Sequence, residues 1–391
     1  MKKKDALLVI LGILFISFNL RAPITAVGSI VEMIRIEYAL SNAAAGFITT
    51  LPLIAFAVVS PFVASVSGKI GHSKTMMIGL LFILGGEVVR SYTGAAGLFI
   101  GTAIIGIGIA IGNVIIPAII KLYFSNKVGV VSSIYTSGMC IFAAVGAGIS
   151  VPLARGMRLG WKNALASWFL LTLCTIIIWL PQVLKKQTAT GSAKKAAGKT
   201  SIWRSKLAWW VTLFMGTQSL LFYSLVAWLP TIVIAKGMTE SFAGNMALMF
   251  QLMAIPATLI FPPLCDKFSS QKVLVLVTCA IYATGMFLFL IAGNAVMIAV
   301  AVVCMAIGMG ASISLSIAFI SLRSPNSGRA SQLSGMAQSA GYLLAAVGPM
   351  ATGLLFDLLS SWTVPLILFL VLIGFLAFCG MFAGSSRTVE E

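Results

Sequence analysis

Twelve stretches of this sequence stay apolar for about eighteen residues or more, long enough to cross the hydrocarbon core of a bilayer as helices. They cover 7–31, 42–66, 75–93, 96–121, 128–153, 163–184, 207–235, 241–264, 272–292, 295–322, 330–357 and 361–384. In lipid each unpaired backbone group costs several kcal/mol, so these runs must be helices rather than loops or open sheet. They do not alternate with period two, as the strands of a membrane barrel would. Composition points the same way: 60% of residues are hydrophobic and 9% charged, where a soluble domain has about 25% charged. The expected fold class is an all-α membrane protein with 12 transmembrane helices.

The charge is lopsided, with 26 Lys and Arg against 9 Asp and Glu. In a soluble protein a net charge of +17 would suggest nucleic acid. Here the basic residues sort by side of the membrane. With the N-terminus inside, 19 of them fall in inner segments, and Arg35, Arg90, Arg155, Arg158, Lys162 and Lys236 fall outside. Arg21 is left over inside span 1. The positive-inside rule then places both termini in the cytoplasm of a bacterial-type inner membrane. The basic trio Arg155, Arg158 and Lys162 is a local exception without a sequence explanation. The Met1–Lys4 start resembles a signal peptide, but the apolar run after it passes 20 residues without an Ala-x-Ala site. It reads as a retained first span.

Residues 185–206 form the one long polar linker, small and basic in composition. It separates an N-terminal bundle of six spans (1–184) from a C-terminal bundle of six (207–391). The halves share an internal repeat at an offset of 202 residues. Gly106-Ile107-Gly108 matches Gly308-Met309-Gly310, Lys121 matches Arg323, and Ala143–Gly146 matches Ala345–Gly348. The expected architecture is two six-helix bundles of equal orientation, related by a pseudo-two-fold axis along the membrane normal, similar to the two halves of major facilitator transporters.

Arg21 is the outstanding residue. A charge at the bilayer centre costs at least ~2.5–3.5 kcal/mol on insertion scales. It therefore needs a polar cavity or a partner, and a structural ion pair with Glu87 of span 3 is the alternative to a solute-binding role. At helical spacing it shares a stripe with Ser17, Thr25, Gly28 and Glu32, and the adjacent Pro23 interrupts the helix ladder. Its planar fork suits a small planar anion or dipole. Glu87 and Arg90 lie three apart on span 3, so an ion pair between them is expected; proton coupling is the alternative role for Glu87. The second rank of cavity residues is Asn113, Tyr223, Trp228, Gln251, Gln338 and Tyr342. Tyr223 is the repeat partner of Arg21, so the two are expected to face one cavity from opposite halves.

No catalytic constellation is present. There is no Gly-x₄-Gly-Lys-Ser/Thr loop for nucleotide. The six Cys show no C-x₂-C pair. The single His, His72, reads as a solvated loop residue. No enzyme activity, cofactor or metal is expected. The expected partners are a small solute, the bilayer and protons, with no nucleic acid, on a monomeric protein.

The segment Asn19-Leu20-Arg21-Ala22-Pro23-Ile24-Thr25-Ala26-Val27-Gly28 resembles the first-helix motif of the cyanate/2-nitroimidazole transporter branch of the major facilitator superfamily. Gly106–Ile109 with Pro117–Lys121 resembles its fourth helix, and Ala227-Trp228-Leu229-Pro230 its seventh. The superfamily's loop signature between spans 2 and 3 is degenerate: Gly68 stands where its Asp would be. The loop between spans 8 and 9 keeps Asp266-Lys267-Phe268, so the resemblance implies that Asp266 latches the inner side. It also implies small planar polar solutes, with Asn19 joining Arg21 in the binding motif. The resulting expectation is a secondary active or facilitative transporter working by alternating access. The alternatives are a multidrug-type exporter of hydrophobic compounds, suggested by 18 Met and 24 Phe, and a channel or sensor.

Overall fold

The computed structural model describes residues 3–184 and 201–390, and the regular structure among them is helical throughout. Residues 185–200 of the expected linker and the side chain of Glu32 lie outside the described residues. Among the described residues, twelve helical elements are long and apolar enough to cross a membrane. Span 1 is broken into α1 (Lys3–Asn19) and α2 (Ala22–Glu37). Spans 2 to 5 are Asn42–Ile70, His72–Tyr92, Gly94–Tyr123 and Val128–Val151. Span 6 has two pieces, Gly160–Ala166 and Trp168–Leu184. Spans 7 to 12 are Lys206–Ala235, Glu240–Cys265, Lys272–Ile291, Ala295–Leu322, Ser327–Leu359 and Thr363–Ala383.

The chain forms two compact units. The first comprises Met1–Phe124, Ser137–Lys199 and Asn326–Ser339. The second comprises Ser125–Thr136, Thr200–Pro325 and Ala340–Glu391. The head of span 5 thus belongs with the later spans, and the head of span 11 with the earlier ones.

In the first unit, spans 3 and 4 approach to backbone contact. A Cβ on Gly101 would stand 2.6 Å from the Cα of Arg90 and 2.7 Å from its Cβ. Such closeness needs a residue without a side chain, the usual role of small residues between membrane helices. The 202-residue repeat is visible in packing as well as in sequence. Gly146 lies against the Ala22 carbonyl and the Thr25 hydroxyl of span 1, and Gly348 lies against the Leu220 carbonyl and the Ser224 hydroxyl of span 7. Ala22 and Ser224 are themselves 202 apart. The glycines of spans 4 and 10 do not follow this equivalence. Gly106 faces Pro52 and Ala55 of span 2, whereas Gly308 faces Tyr282 of span 9. Gly310 faces Ala254 of span 8 and Gly108 faces Ile83 of span 3, so the two helices meet equivalent spans with the two glycine positions exchanged.

Some outer and loop charges now have a structural role. Lys236 donates to the carbonyls of Leu290 (3.1 Å) and Ala292 (3.3 Å) at the end of span 9, where a cation offsets the negative end of a helix. Partial burial lowers its ammonium from the ordinary range. Lys162 pairs with Glu37 at 2.8 Å, and the Trp161 indole N–H donates to the same carboxylate. Arg155 and Arg158 are exposed. His72 is the half-buried first residue of span 3 rather than a solvated loop residue.

The Lys162 and Trp161 contacts hold the Glu37 carboxyl below its ordinary value, with the Lys162 bond the larger cause. The cluster is therefore complete at neutral pH and is lost as pH falls through that depressed value. A Trp161 fluorescence change centred below about pH 4.3 is expected. It should be missing from Glu37→Gln, and a titration centred higher would refute the arrangement.

Candidate functional site

Span 1 breaks because Pro23 has no N–H to give the carbonyl of Asn19, four residues earlier. Helix α1 ends at Asn19, and Leu20 and Arg21 form a turn before α2 begins. Arg21 is the N-cap residue of α2, with φ −129° and ψ −45°. Its carbonyl accepts from the N–H groups of Ile24 and Thr25, both at 3.1 Å. The half-buried Arg21 side chain thus belongs to a helix N-terminus, whose dipole favours negative charge. Broken helices in transporters present this kind of end to anionic solute groups.

The other members of the expected polar stripe behave differently. Ser17 is fully buried, donates to the Leu14 carbonyl at 2.6 Å and packs on Gly138. Thr25 donates to the Arg21 carbonyl at 3.2 Å and packs on Gly146. The stripe is therefore sealed against span 5 on either side of Arg21. Between those glycines span 5 carries Cys140, close enough to feel the charge of Arg21, and Phe142, stacked on Phe18 at 3.7 Å. Sequence reasoning did not single out Cys140, Phe18 or Phe142. Their apolar character offered no signal.

Two more expected residues join this neighbourhood. A Cβ on Gly112 would lie 2.6 Å from a methyl of Leu20, so span 4 passes directly beside the break. The next residue, Asn113, is buried, and its carbonyl accepts from the Ser334 hydroxyl at 3.3 Å. One turn beyond Ser334 is Gln338, whose buried Oε1 has no hydrogen-bond partner. Arg21, Asn113 and Gln338 therefore lie along one connected path in the first unit. Asn19 turns toward span 6 instead. It is wholly buried, and its amide donates to the Phe15 carbonyl (2.8 Å) and to Thr175 (2.7 Å).

The expected Glu87–Arg90 pair is not made. Both are buried rather than partly exposed at the outer end. Arg90 Nη1 donates to the Pro23 carbonyl at 2.6 Å, while Glu87 Oε2 meets the Thr172 hydroxyl at 2.9 Å. Spacing of i and i+3 permits the pair, but each side chain finds a nearer partner on a different neighbouring span.

In the second unit, Tyr223 and Tyr342 meet edge to face at 6.5 Å, with Phe222 at 5.1 Å from Tyr223. Gln251 is half-buried on span 8. Trp228 has other partners. Its indole donates to the Pro349 carbonyl at 2.8 Å and its ring packs on Trp362 at 5.4 Å. Asp266 accepts from the backbone N–H groups of Gly129 (2.8 Å) and Val130 (3.1 Å) at the head of span 5. It therefore caps that helix from a distant loop. Asp266→Ala should cost about 0.5–2 kcal/mol of stability, the usual range for a lost cap. A melting midpoint equal to wild type would contradict this. Among the described residues no group of three His, Cys, Asp or Glu could hold a metal ion.

The sequence matches the Major Facilitator Superfamily over residues 9–349 and 236–388. The chain belongs to that family of transporters. It is 44% identical over 390 residues to an uncharacterized transporter, YycB, of Bacillus subtilis strain 168, covering 100% of this chain and 96% of the relative. It is 37% identical over 390 residues to a 2-nitroimidazole transporter of Escherichia coli K12, covering 99% of this chain and 98% of the relative. Among solved structures, the proton:xylose symporter XylE superposes with a TM-score of 0.76 at 15% identity, covering 100% of this chain and 99% of that one. That likeness shows the fold. The chain is a multi-pass membrane protein with the major facilitator fold.

Proposed function

We propose that this protein carries a small planar polar or anionic solute, of the cyanate or nitroimidazole kind, across a bacterial cytoplasmic membrane by alternating access. Both termini face the cytoplasm in this reading. The observation that carries it is Arg21 at the head of α2, where span 1 is broken. A guanidinium and a helix N-terminus coincide there, and both favour negative charge or the negative end of a dipole. The 37% identical relative named for 2-nitroimidazole supports the planar, polar substrate class. Asn113 and Gln338 supply neutral polar groups on the same path. A multidrug-type exporter of hydrophobic compounds would gain nothing from a fixed cation at this position.

The test is uptake into proteoliposomes with a panel of cyanate, 2-nitroimidazole and a lipophilic cation. Saturable uptake of the first or second, undiminished by excess lipophilic cation, is expected. Transport of the lipophilic cation alone would overturn the reading.

A further inference from the structure

A hydrogen-bond chain runs through the buried side of the first unit, and proton counting along it determines the state of Glu87. Asn19 donates through Nδ2 to the Phe15 carbonyl at 2.8 Å and to Thr175 Oγ1 at 2.7 Å. Thr175 in turn donates to the Leu171 carbonyl at 2.8 Å. Reversing the amide would set two acceptor oxygens face to face at the Phe15 carbonyl, so its orientation is fixed. Asn19 Oδ1 must therefore accept, and its partner is Thr172 Oγ1 at 2.7 Å. A threonine hydroxyl has one proton. Yet Thr172 Oγ1 also stands 2.9 Å from Glu87 Oε2; the Trp168 carbonyl, at 3.4 Å, is the poorest of its neighbours.

Only one assignment satisfies every short contact. Glu87 carries a proton on Oε2 and donates to Thr172, Thr172 donates to Asn19, Asn19 to Thr175, and Thr175 to Leu171. All donors then point one way, an arrangement in which each bond strengthens the next. If Glu87 ionises, the Thr172 proton turns to the carboxylate. Asn19 Oδ1 is then left buried, without a donor, against lone pairs 2.7 Å away. Asn19 is the last residue of α1, directly before the break that holds Arg21.

We propose that Glu87 is a reversible proton-binding site, linked through Thr172 and Asn19 to the break in span 1, and that it couples anion transport to proton entry. This rests on the anion reading of Arg21. Binding forms the Oε2–H bond with a proton taken from bulk water, and release returns that proton to bulk water. The facing charges are few. Arg90 lies on the same helix, its Nη1 bonded to the Pro23 carbonyl. Arg21 lies two residues beyond Asn19. Spans 2 and 4 carry Lys69 and Lys121 near their far ends, and Lys162 of span 6 is paired with Glu37. His72 and Lys74 stand at the opposite end of span 3, Tyr92 ends the span bonded to Asn163, and Cys174 of span 6 is exposed. Arg90 stands one turn from Glu87 without an ion-pair contact; when Glu87 is protonated its negative charge is removed, and the region around the break is more positive. Anion binding and proton binding thus favour each other, which is the condition for symport.

Two measurements test this. Infrared difference spectra of the purified full chain at neutral pH, wild type minus Glu87→Gln, should show a carboxylic-acid carbonyl band. A carboxylate band in its place would overturn the proton site. In proteoliposomes, an acidic exterior should drive cyanate accumulation several-fold above equilibrium in wild type. Glu87→Gln and Thr172→Val should lose that accumulation while exchange of cyanate persists, and Thr172→Ser should restore it. Accumulation by Glu87→Gln equal to wild type would overturn the coupling. Absence of cyanate exchange in wild type would instead overturn the solute reading and the symport with it, while the infrared band still decides the proton site.

Discussion

Arg21→Ala is expected to abolish saturable uptake of cyanate and 2-nitroimidazole while leaving the protein folded. Hydrogen bonds to a charged group contribute about 1.5–3 kcal/mol, so binding should weaken by about ten- to a hundredfold. Folding should survive because Arg21 is half-buried and lies outside the sealed network of Glu87, Thr172 and Asn19. Arg21→Lys should restore the charge but not full transport, since an ammonium cannot offer the flat two-pronged contact of a guanidinium. Binding isotherms on the detergent-purified variants, with melting curves as control, decide the matter. Wild-type affinity in Arg21→Ala would refute the assignment.

The second large effect concerns stability. Gly101→Leu should yield no folded protein, and Gly101→Ala should be destabilised by about 1–3 kcal/mol, the usual range for overpacking. The cause is the backbone approach of spans 3 and 4, where even a methyl on Gly101 meets the Cα of Arg90 at 2.6 Å. No flexible side-chain end is available to yield, because the obstructing atoms are backbone. Gly28→Ala is the matched control. Nothing lies within 4 Å of its added Cβ, and replacing a helical Gly by Ala gains up to about 1 kcal/mol. Thermal unfolding in detergent should therefore move in opposite directions for the two alanine variants. A Gly101→Leu protein melting like wild type would contradict the packing.

Much of this fold was legible in the sequence because lipid imposes a simple rule. Apolar length gave twelve spans, and their observed bounds differ mainly at the ends, where polar residues extend helices past the hydrocarbon. The exceptions are the broken spans. Pro23 signalled a disturbance in span 1, but other spans tolerate prolines such as Pro52 and Pro117 inside continuous helices. The repeat was legible at Gly146 and Gly348, which pack against the equivalent spans 1 and 7. At Gly106 and Gly308 the matched residues face different spans, and the equivalent contacts are made by Gly310 and Gly108.

The site was legible in part for the same reason. Arg21 stood out because an isolated charge in an apolar span requires an explanation. Asn113 and Gln338 were visible as mid-span polar residues, but their common path with Arg21 depends on Leu20, Gly112 and Ser334, which have no chemical signature. The partners of Glu87 were hidden by distance along the chain. Thr172 lies 85 residues from Glu87 and 153 from Asn19, and a threonine in a membrane helix usually bonds only to its own backbone. Local spacing therefore favoured Arg90, the one charged residue within a turn, over the hydroxyl that the carboxyl meets.

The central claim, that this chain is a carrier whose solute binds at Arg21, is tested most directly by counterflow. Proteoliposomes loaded with unlabelled cyanate or 2-nitroimidazole are diluted into trace labelled solute. The wild type should show a transient accumulation of label that saturates with internal solute and vanishes in Arg21→Ala. Label entry that rises linearly with concentration, shows no overshoot and is unchanged in Arg21→Ala would contradict the account.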